Sequence, residues 1–182
     1  YQGKGDDILD PYKFNKEHYR LIEMMSQSVK NESVDINKFV KDVISLCDLA
    51  RLHFIDFDAR PVGVNQLEML SDKHSISNED NECLVAWCLA KLGMDYHDSI
   101  DYTDMVFLPN RLNLTTDVYD YVFIDECQDL NTCQRLLMMK AIKPETGRFI
   151  AVGDPKQAIY AFAGADSESY IKLQNIPNTI EL

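Results

Sequence analysis

The chain has 182 residues, of which 46% are hydrophobic and 26% are charged, and its formal net charge is −12. This composition is typical of a globular protein and excludes fibrous and disordered chains. The acidic balance argues against a free-standing nucleic-acid binder, whose affinity comes largely from Lys and Arg. The excess lies mainly in residues 1–119, with a net charge of −9, whereas residues 120–182 carry −3.

The location of the protein is indicated by its cysteines and by its hydropathy. The five cysteines form no C-x-x-C pair, which predicts buried, reduced thiols and a cytoplasmic protein without a zinc site. No apolar run reaches the roughly 18–20 residues that a membrane span requires. We therefore expect no membrane partner.

The first hundred residues predict helices. Apolar residues recur at helical spacing from Asp35 to Leu52 and predict one α-helix there. A weaker pattern predicts another helix from Asn15 to Lys30. The stretch 54–75 is expected to be irregular, because Pro61 and Gly63 normally interrupt regular structure.

A further helix is predicted after residue 77. Ser77 followed by Asp80 resembles a capping box, which marks a helix N-terminus. An apolar stripe then continues to Leu92, and Gly93 would end the helix.

The last third of the chain has a different pattern. Two short apolar runs, Tyr121–Ile124 and Arg148–Val152, lack polar alternation and predict strands that are buried on both faces, as in a parallel sheet. Asn131 and Gln134 can cap a helix between them, which gives a βαβ unit. We place the boundary between a helical region and this α/β region within residues 100–115.

Functional side chains follow both predicted strands, where α/β sheets bind ligands. Asp125 comes directly after the first strand and suits Mg²⁺, while Glu126 could polarise a water for attack on a phosphate. A structural alternative is that both acids only favour the next helix N-terminus. Gln157 follows the second strand, and Tyr160 and Phe162 behind it could stack on nucleic-acid bases or pack in a core.

These segments resemble the UvrD/Rep-type superfamily 1 DNA helicases. Tyr119–Asp129 is similar to motif II of that family, Phe149–Asp166 is similar to motif III, and Ile100–Met105 is similar to an acidic-aromatic segment upstream. The two motifs occur in the order and at the separation of the family. The resemblance covers residues 100–182, whereas residues 1–99 match only loosely, as a helical insertion called domain 1B.

The resemblance implies a fold and an activity. The implied fold is α/β, a partial P-loop NTPase (RecA-like) parallel sheet at residues 101–182 with a mainly helical insertion at residues 1–100. The implied activity is that of an ATP-dependent helicase that moves on single-stranded DNA, with ATP and Mg²⁺ as cofactors.

The resemblance also implies residue roles. Asp125 would bind Mg²⁺ through the water shell of the ion, Glu126 would activate the attacking water, and Gln157 would sense the γ-phosphate. Gln128 and Asp129 would belong to the nucleotide site and connect motif II to neighbouring motifs. Tyr160 and Phe162 would contact single-stranded DNA. Two positions depart from the family pattern. Ala163 stands where many members have Arg, so one polar contact is missing, and Cys127 replaces a commoner Ala.

The sequence contains no G-x-x-x-x-G-K-[ST] phosphate-binding loop. We therefore expect that loop to precede residue 1 of a longer protein, and the arginines of a second motor domain to follow residue 182. The remaining helicase domains of the parent chain are then its partners, with ATP and single-stranded DNA. The chain alone is expected to be inactive.

Two other functions remain open at this point. One is a non-catalytic interaction module that uses the acidic helical part to bind a protein. The other is a metal-dependent nuclease that uses Asp125, Glu126 and Asp129, although that function would leave the Gln157 segment unexplained.

Overall fold

The computed structural model describes residues 35–94, 100–157 and 171–173. The chain divides into two compact units, Tyr1–Met105 and Val106–Leu182. The elements in chain order are the helices α1 (Ile36–Leu52), α2 (Arg60–His74), α3 (Glu82–Met94) and α4 (Tyr102–Arg111), the strand β1 (Tyr121–Ile124), a 3₁₀ turn (Cys127–Asp129), the helix α5 (Thr132–Lys140), the strand β2 (Arg148–Ala151) and a second 3₁₀ turn (Pro155–Gln157). None of the described helices has the length and apolar character that crossing a membrane requires. The helix predicted over Asn15–Lys30 lies outside the described residues.

Helix α1 confirms the prediction from the apolar spacing. Asp35 caps the helix, because its Oδ1 accepts hydrogen bonds from the backbone N–H groups of Asn37 and Lys38 at 3.0 and 3.3 Å. The predicted stripe faces inward, with Phe39 and Val43 fully buried. Helix α1 packs against α2 and α3, which together form the core of the first unit.

Helix α2 corrects the expectation that residues 54–75 are irregular. Pro61 lies in the first turn, where its missing N–H would have no partner within the helix, so it starts the helix instead of breaking it. Gly63 is buried inside α2, and a Cβ there would overlap the carbonyl oxygen of Asp56 and the indole of Trp87. The glycine permits this close approach, which local sequence does not reveal.

Helix α3 begins and ends later than predicted. The capping box of Ser77 and Asp80 is wrong, because the helix begins at Glu82. Asn78 Oδ1 instead accepts a hydrogen bond from the Cys83 N–H at 2.9 Å. Gly93 is buried within α3 and does not end it.

A buried ion cluster joins α1 to the beginning of α4 within the first unit. Arg51 is only 1% exposed. Its guanidinium donates hydrogen bonds to Asp48, Asp101 and Asp104 at 2.6, 2.9 and 2.7 Å. Burial alone would lower the pKa of Arg51, but the attraction of the three carboxylates outweighs it and raises that pKa. The side chain of Thr103 also donates to Asp48, at 3.2 Å.

The second unit contains the predicted βαβ arrangement. Strands β1 and β2 are parallel neighbours, with Tyr121 opposite Arg148 and Ile124 opposite Ala151. Helix α5 begins with the predicted capping box: Asn131 Oδ1 accepts from the Gln134 N–H, and Gln134 Oε1 accepts from the Asn131 N–H. The parallel pair and its connecting helix are therefore confirmed.

The prediction that both strands are buried on two faces is wrong for the described residues. One face packs on a small core formed by Ile124, Cys127, Leu130 and Leu173. On the opposite side, Tyr121 and Phe123 are 60% and 70% exposed, and their rings stack with centroids 6.3 Å apart. A continuous apolar run cannot distinguish burial on one face from burial on two, since both faces of the strand carry apolar residues.

Candidate functional site

The parallel pairing brings the two predicted functional segments to one edge of the sheet. The backbone pairing extends past β1, because the Val152 N–H donates to the Ile124 carbonyl at 2.8 Å and the Cys127 N–H donates to the Val152 carbonyl at 2.9 Å. The segment after Ile124 and the segment after Val152 are therefore fixed side by side. Carboxyl ends of neighbouring parallel strands are where α/β sheets bind ligands.

Asp125 and Glu126 are both exposed at this edge. Asp125 Oδ1 accepts a hydrogen bond from the Glu126 N–H at 3.0 Å. Glu126 adopts the left-handed conformation, with φ 52° and ψ 44°. A non-glycine residue with this backbone is uncommon, but five other non-glycine residues among those described also have positive φ, so the conformation alone does not indicate function. The chain thus turns sharply at the residue predicted to activate water.

Gln128 occupies the interior beneath these acids. It is 3% exposed. Its Nε2 donates to Glu126 Oε2 at 2.7 Å, and its Oε1 accepts from the Asp154 N–H at 3.0 Å. Gln128 therefore bridges the two functional segments. A direct contact between Gln128 and a nucleotide stays a prediction.

Asp129 lies at the end of the first 3₁₀ turn and is partly buried. Its N–H donates to the Glu126 carbonyl at 3.0 Å. Its Oδ1 is buried and has no hydrogen-bond partner in the part of the chain that the structure describes. The role that the resemblance implies for Asp129 in the nucleotide site also stays a prediction.

The turn after β2 places Gln157 next to Asp154. Gln157 Nε2 donates to Asp154 Oδ2 at 3.0 Å, and Asp154 Oδ1 accepts from the Lys156 N–H at 2.9 Å. Both hydrogen bonds lower the pKa of Asp154 below its ordinary value of 3.8, and the bond from the Lys156 backbone N–H has the larger effect. Gln157 itself is exposed, so its amide is accessible to a ligand.

Two site predictions remain to be considered: the DNA contacts of Tyr160 and Phe162, and the metal site of the nuclease alternative. Tyr160 and Phe162 lie outside the described residues, so their contact with DNA stays a prediction. Among residues 35–94, 100–157 and 171–173, no three His, Cys, Asp or Glu side chains are grouped closely enough to hold a metal ion. The three acids of the nuclease alternative, Asp125, Glu126 and Asp129, therefore do not form such a group.

The sequence pattern indicated the segment that contains Gly153 and Asp154 but not the contacts that these two residues make. Gly153 has no room for a side chain, because a Cβ there would overlap Gln128 Oε1 and lie 2.7 Å from Cys127 Sγ. Asp154 contacts Gln128 through its backbone and Gln157 through its carboxylate. The Gly-Asp-Pro turn after an apolar run was the available signal, but it did not indicate these partners.

In this mainly helical structure, carboxylates and amides follow the carboxyl ends of the two parallel strands. Residues 7–177 match the family model described as the UvrD/REP helicase N-terminal domain. The chain belongs to this family, and the resemblance that its two motifs indicated is confirmed.

Individual proteins with similar sequences are also helicases or components of helicase enzymes. One component of the ATP-dependent helicase/nuclease of Pediococcus pentosaceus is 39% identical over 188 residues, covering 95% of this chain and 15% of the relative. The RecB component of the RecBCD enzyme of Buchnera aphidicola is 38% identical over 88 residues, covering 46% of this chain and 7% of the relative. The ATP-dependent DNA helicase Rep of Salmonella typhimurium is 33% identical over 87 residues, covering 43% of this chain and 13% of the relative. The chain thus matches no more than 15% of the length of these three relatives.

Proposed function

We propose that this chain is a segment of an ATP-dependent superfamily 1 helicase that couples ATP hydrolysis to movement on single-stranded DNA. The observation that carries the proposal is the parallel pairing of β1 and β2, because the segments that follow the two strands then lie along one edge of the sheet and are joined by the hydrogen bond from the Asp154 N–H to Gln128 Oε1. Family membership and the matched helicases support it. In this proposal, residues 101–182 form part of a RecA-like motor domain and residues 1–100 form a 1B-like insertion.

The residues at this edge fit a Mg²⁺–ATP complex. Mg²⁺ that is bound to phosphates keeps most of its waters and takes only one or two protein carboxylates. Asp125 supplies one exposed carboxylate at the end of a strand, so it would hold the ion through the water shell. The bound ion would neutralise charge on the β- and γ-phosphates.

Glu126 acts on the attacking water in this proposal. Its carboxylate accepts a proton from the water as the water approaches the γ-phosphate, a role that general bases commonly have. Gln157, in the turn after β2, donates its amide to a γ-phosphate oxygen. Tyr160 and Phe162 continue the same segment and contact single-stranded DNA, and the protein is expected to act in the cytoplasm.

The proposal is tested with Glu126→Gln in the complete gene product that carries this chain. General-base catalysis contributes roughly 10²–10⁴-fold to a rate, so DNA-stimulated ATP hydrolysis is expected to fall by at least about 100-fold. ATP binding, measured separately by a fluorescent ATP analogue, should persist. Undiminished turnover would remove Glu126 from this role.

Glu145→Gln provides a matched control. Glu145 is an exposed glutamate in the turn before β2 of the same unit, so the variant makes the same chemical change away from the site. Its ATP hydrolysis should equal that of the wild type. The isolated 182-residue chain should show no DNA-stimulated hydrolysis, and phosphate release by clean protein would contradict that expectation.

A further inference from the structure

The chain passes once between its two compact units, and it does so inside a helix. The helical unit ends at Met105 and the α/β unit begins at Val106, whereas α4 runs without a break from Tyr102 to Arg111. The first turn of α4 therefore belongs to one unit and the rest of the helix belongs to the other. The shape of this one helix consequently bears on both units.

The first turn of α4 is fixed to α1 by the buried ion cluster. Asp101 and Asp104 cap the helix reciprocally: Asp101 Oδ1 accepts from the Asp104 N–H at 2.8 Å, and Asp104 Oδ2 accepts from the Asp101 N–H at 3.2 Å. The same two carboxylates accept hydrogen bonds from the guanidinium of Arg51. Both carboxylates are buried, so separating them from their cation would be costly. This end of α4 is therefore anchored within the helical unit.

The other end of α4 has its own anchor, formed by contacts to α5 within the α/β unit. Asn110 Nδ2 donates to the Cys133 carbonyl at 2.8 Å, and Lys140 Nζ donates to the Pro109 carbonyl at 3.0 Å. Phe107, between the two anchors, is fully buried. Each end of α4 is thus held by a different partner in a different unit.

The hydrogen-bond ladder of α4 is interrupted between these anchors. Pro109 lies inside the helix and has no N–H, so the carbonyl of Met105 lacks its regular helical partner. The proline ring also crowds that carbonyl, and proline is a common cause of helix bends. Because Met105 is the last residue of the helical unit, the missing hydrogen bond lies where the chain passes from one unit to the other.

We propose that α4 contains a hinge at Met105–Pro109, about which the helical unit turns relative to the α/β unit. A helix resists bending through its hydrogen bonds, so it bends most readily at the step that lacks one. The anchors at the two ends transfer this bending to the units that hold them. In the complete helicase, the hinge lets the 1B-like insertion turn while the site of Asp125 and Glu126 stays intact. That consequence rests on the proposed function, whereas the hinge itself does not.

Nuclear magnetic resonance of the 182-residue chain tests the hinge without any enzymatic activity. Residual dipolar couplings of the backbone N–H groups give an alignment tensor for each unit separately. Units that turn about a hinge give two tensors of different magnitude, whereas units joined by a fixed bend share one tensor. We expect two magnitudes in the wild type. A single shared tensor would show that Pro109 only bends the helix and would overturn the proposal.

Pro109→Ala should remove the hinge. Alanine supplies the missing N–H and is the strongest helix former, so the two magnitudes should become equal. Pro61→Ala is the matched control, because Pro61 lies in the first turn of α2, where an N–H has no helical acceptor. Its couplings should fit the two tensors of the wild type. Different magnitudes that persist in Pro109→Ala, or that become equal in Pro61→Ala as well, would contradict a hinge at Met105–Pro109.

A second experiment examines Pro109→Ala in the complete gene product. None of the residues of the proposed ATP site lies in α4, so DNA-stimulated ATP hydrolysis should equal that of the wild type. The number of base pairs separated per ATP should fall, because the insertion no longer turns. An unchanged number, in a protein where Glu126→Gln abolishes turnover, would overturn the role of the hinge in the helicase. Undiminished turnover in Glu126→Gln would instead contradict the proposed function, and the dipolar couplings would still decide whether the hinge exists.

Discussion

The two units of the chain both bury polar side chains, but they satisfy them in different ways. The helical unit buries a cation, Arg51, among three carboxylates. The α/β unit buries a neutral amide, Gln128, between a carboxylate and a backbone N–H. A charged group loses far more solvation on burial than an amide does, so its partners must remain in place for the unit to fold.

This difference suggests a division of roles. The Arg51 cluster ties α1 to the beginning of α4 and is expected to determine stability. The Gln128 bridge holds a side chain that the proposed reaction uses and is expected to determine turnover. Four sets of substitutions test this division of roles, and their expected effects on stability decrease from Arg51 to Asp154.

Arg51→Met should have the largest effect. The change leaves Asp101 and Asp104 buried without their cation, and breaking a buried ion pair on one side typically costs about 3–5 kcal/mol. Urea unfolding followed by circular dichroism measures the loss. Lys143→Met is the control, because its pair with Asp120 is exposed and such pairs contribute about 0–1 kcal/mol. Similar losses in both variants would contradict the special role of the buried cluster.

Gly153→Ala and Gly147→Ala should separate stability from turnover within the α/β unit. Each added Cβ would overlap or crowd neighbouring atoms, and overpacking of this kind costs about 1–3 kcal/mol. A Cβ at position 147 would meet Ile142 and Lys143, whereas a Cβ at position 153 would meet Gln128. Only Gly153→Ala should therefore lower kcat beyond what its loss of stability explains. Equal kcat values in the two variants would show that the position of Gln128 does not affect the turnover rate.

Asn131→Ala should cost about 1 kcal/mol, because it removes the N-cap of α5. The measurement is again the free energy of unfolding in urea. Asn65→Ala, on the exposed face of α2, is expected to be neutral or slightly stabilising, since Ala is the better helix former. A negligible cost for Asn131→Ala would show that other contacts hold the start of α5.

Asp154→Asn should have the smallest effect, and that effect should depend on pH. Accepted hydrogen bonds lower the pKa of Asp154 in the folded state below its ordinary value of 3.8, so its ionised form favours folding at pH values above that ordinary pKa. That contribution is lost as the pH falls through the lowered folded pKa. The unfolding free energies of wild type and variant should therefore converge in acid. A difference that is constant between pH 7 and pH 2 would contradict this origin.

The sequence predicted the elements whose signals are local. Helix α1 has both a cap and an apolar stripe, and α5 has a complete capping box, so both were found. Helix α2 was missed because the reason for Gly63 is a contact with Trp87 and Asp56, residues that lie elsewhere in the chain. Distant contacts of this kind decide whether a glycine breaks a helix or allows it to pack.

The candidate site was predictable to a similar extent. The positions of Asp125, Glu126 and Gln157 at one edge of the sheet could be predicted, because each residue follows an apolar run and parallel pairing brings such ends together; their roles stay predictions. The partners of Gln128 could not be found, because they depend on the register of β1 against β2 and on the space beside Gly153. The sequence pattern also could not show that only one face of the sheet is buried.

Trp87 has a practical consequence for these experiments. It is the single tryptophan of the chain. Its Nε1 donates to the Asp56 carbonyl at 2.9 Å, and Lys91 Nζ lies 5.0 Å from its ring centroid. Both of these partners belong to the helical unit, so its fluorescence emission reports the opening of that unit. The stacked Tyr121 and Phe123 belong to the other unit, which carries no tryptophan. The chain therefore carries an intrinsic optical probe that is specific for its helical unit, and no dye needs to be attached to follow that unit.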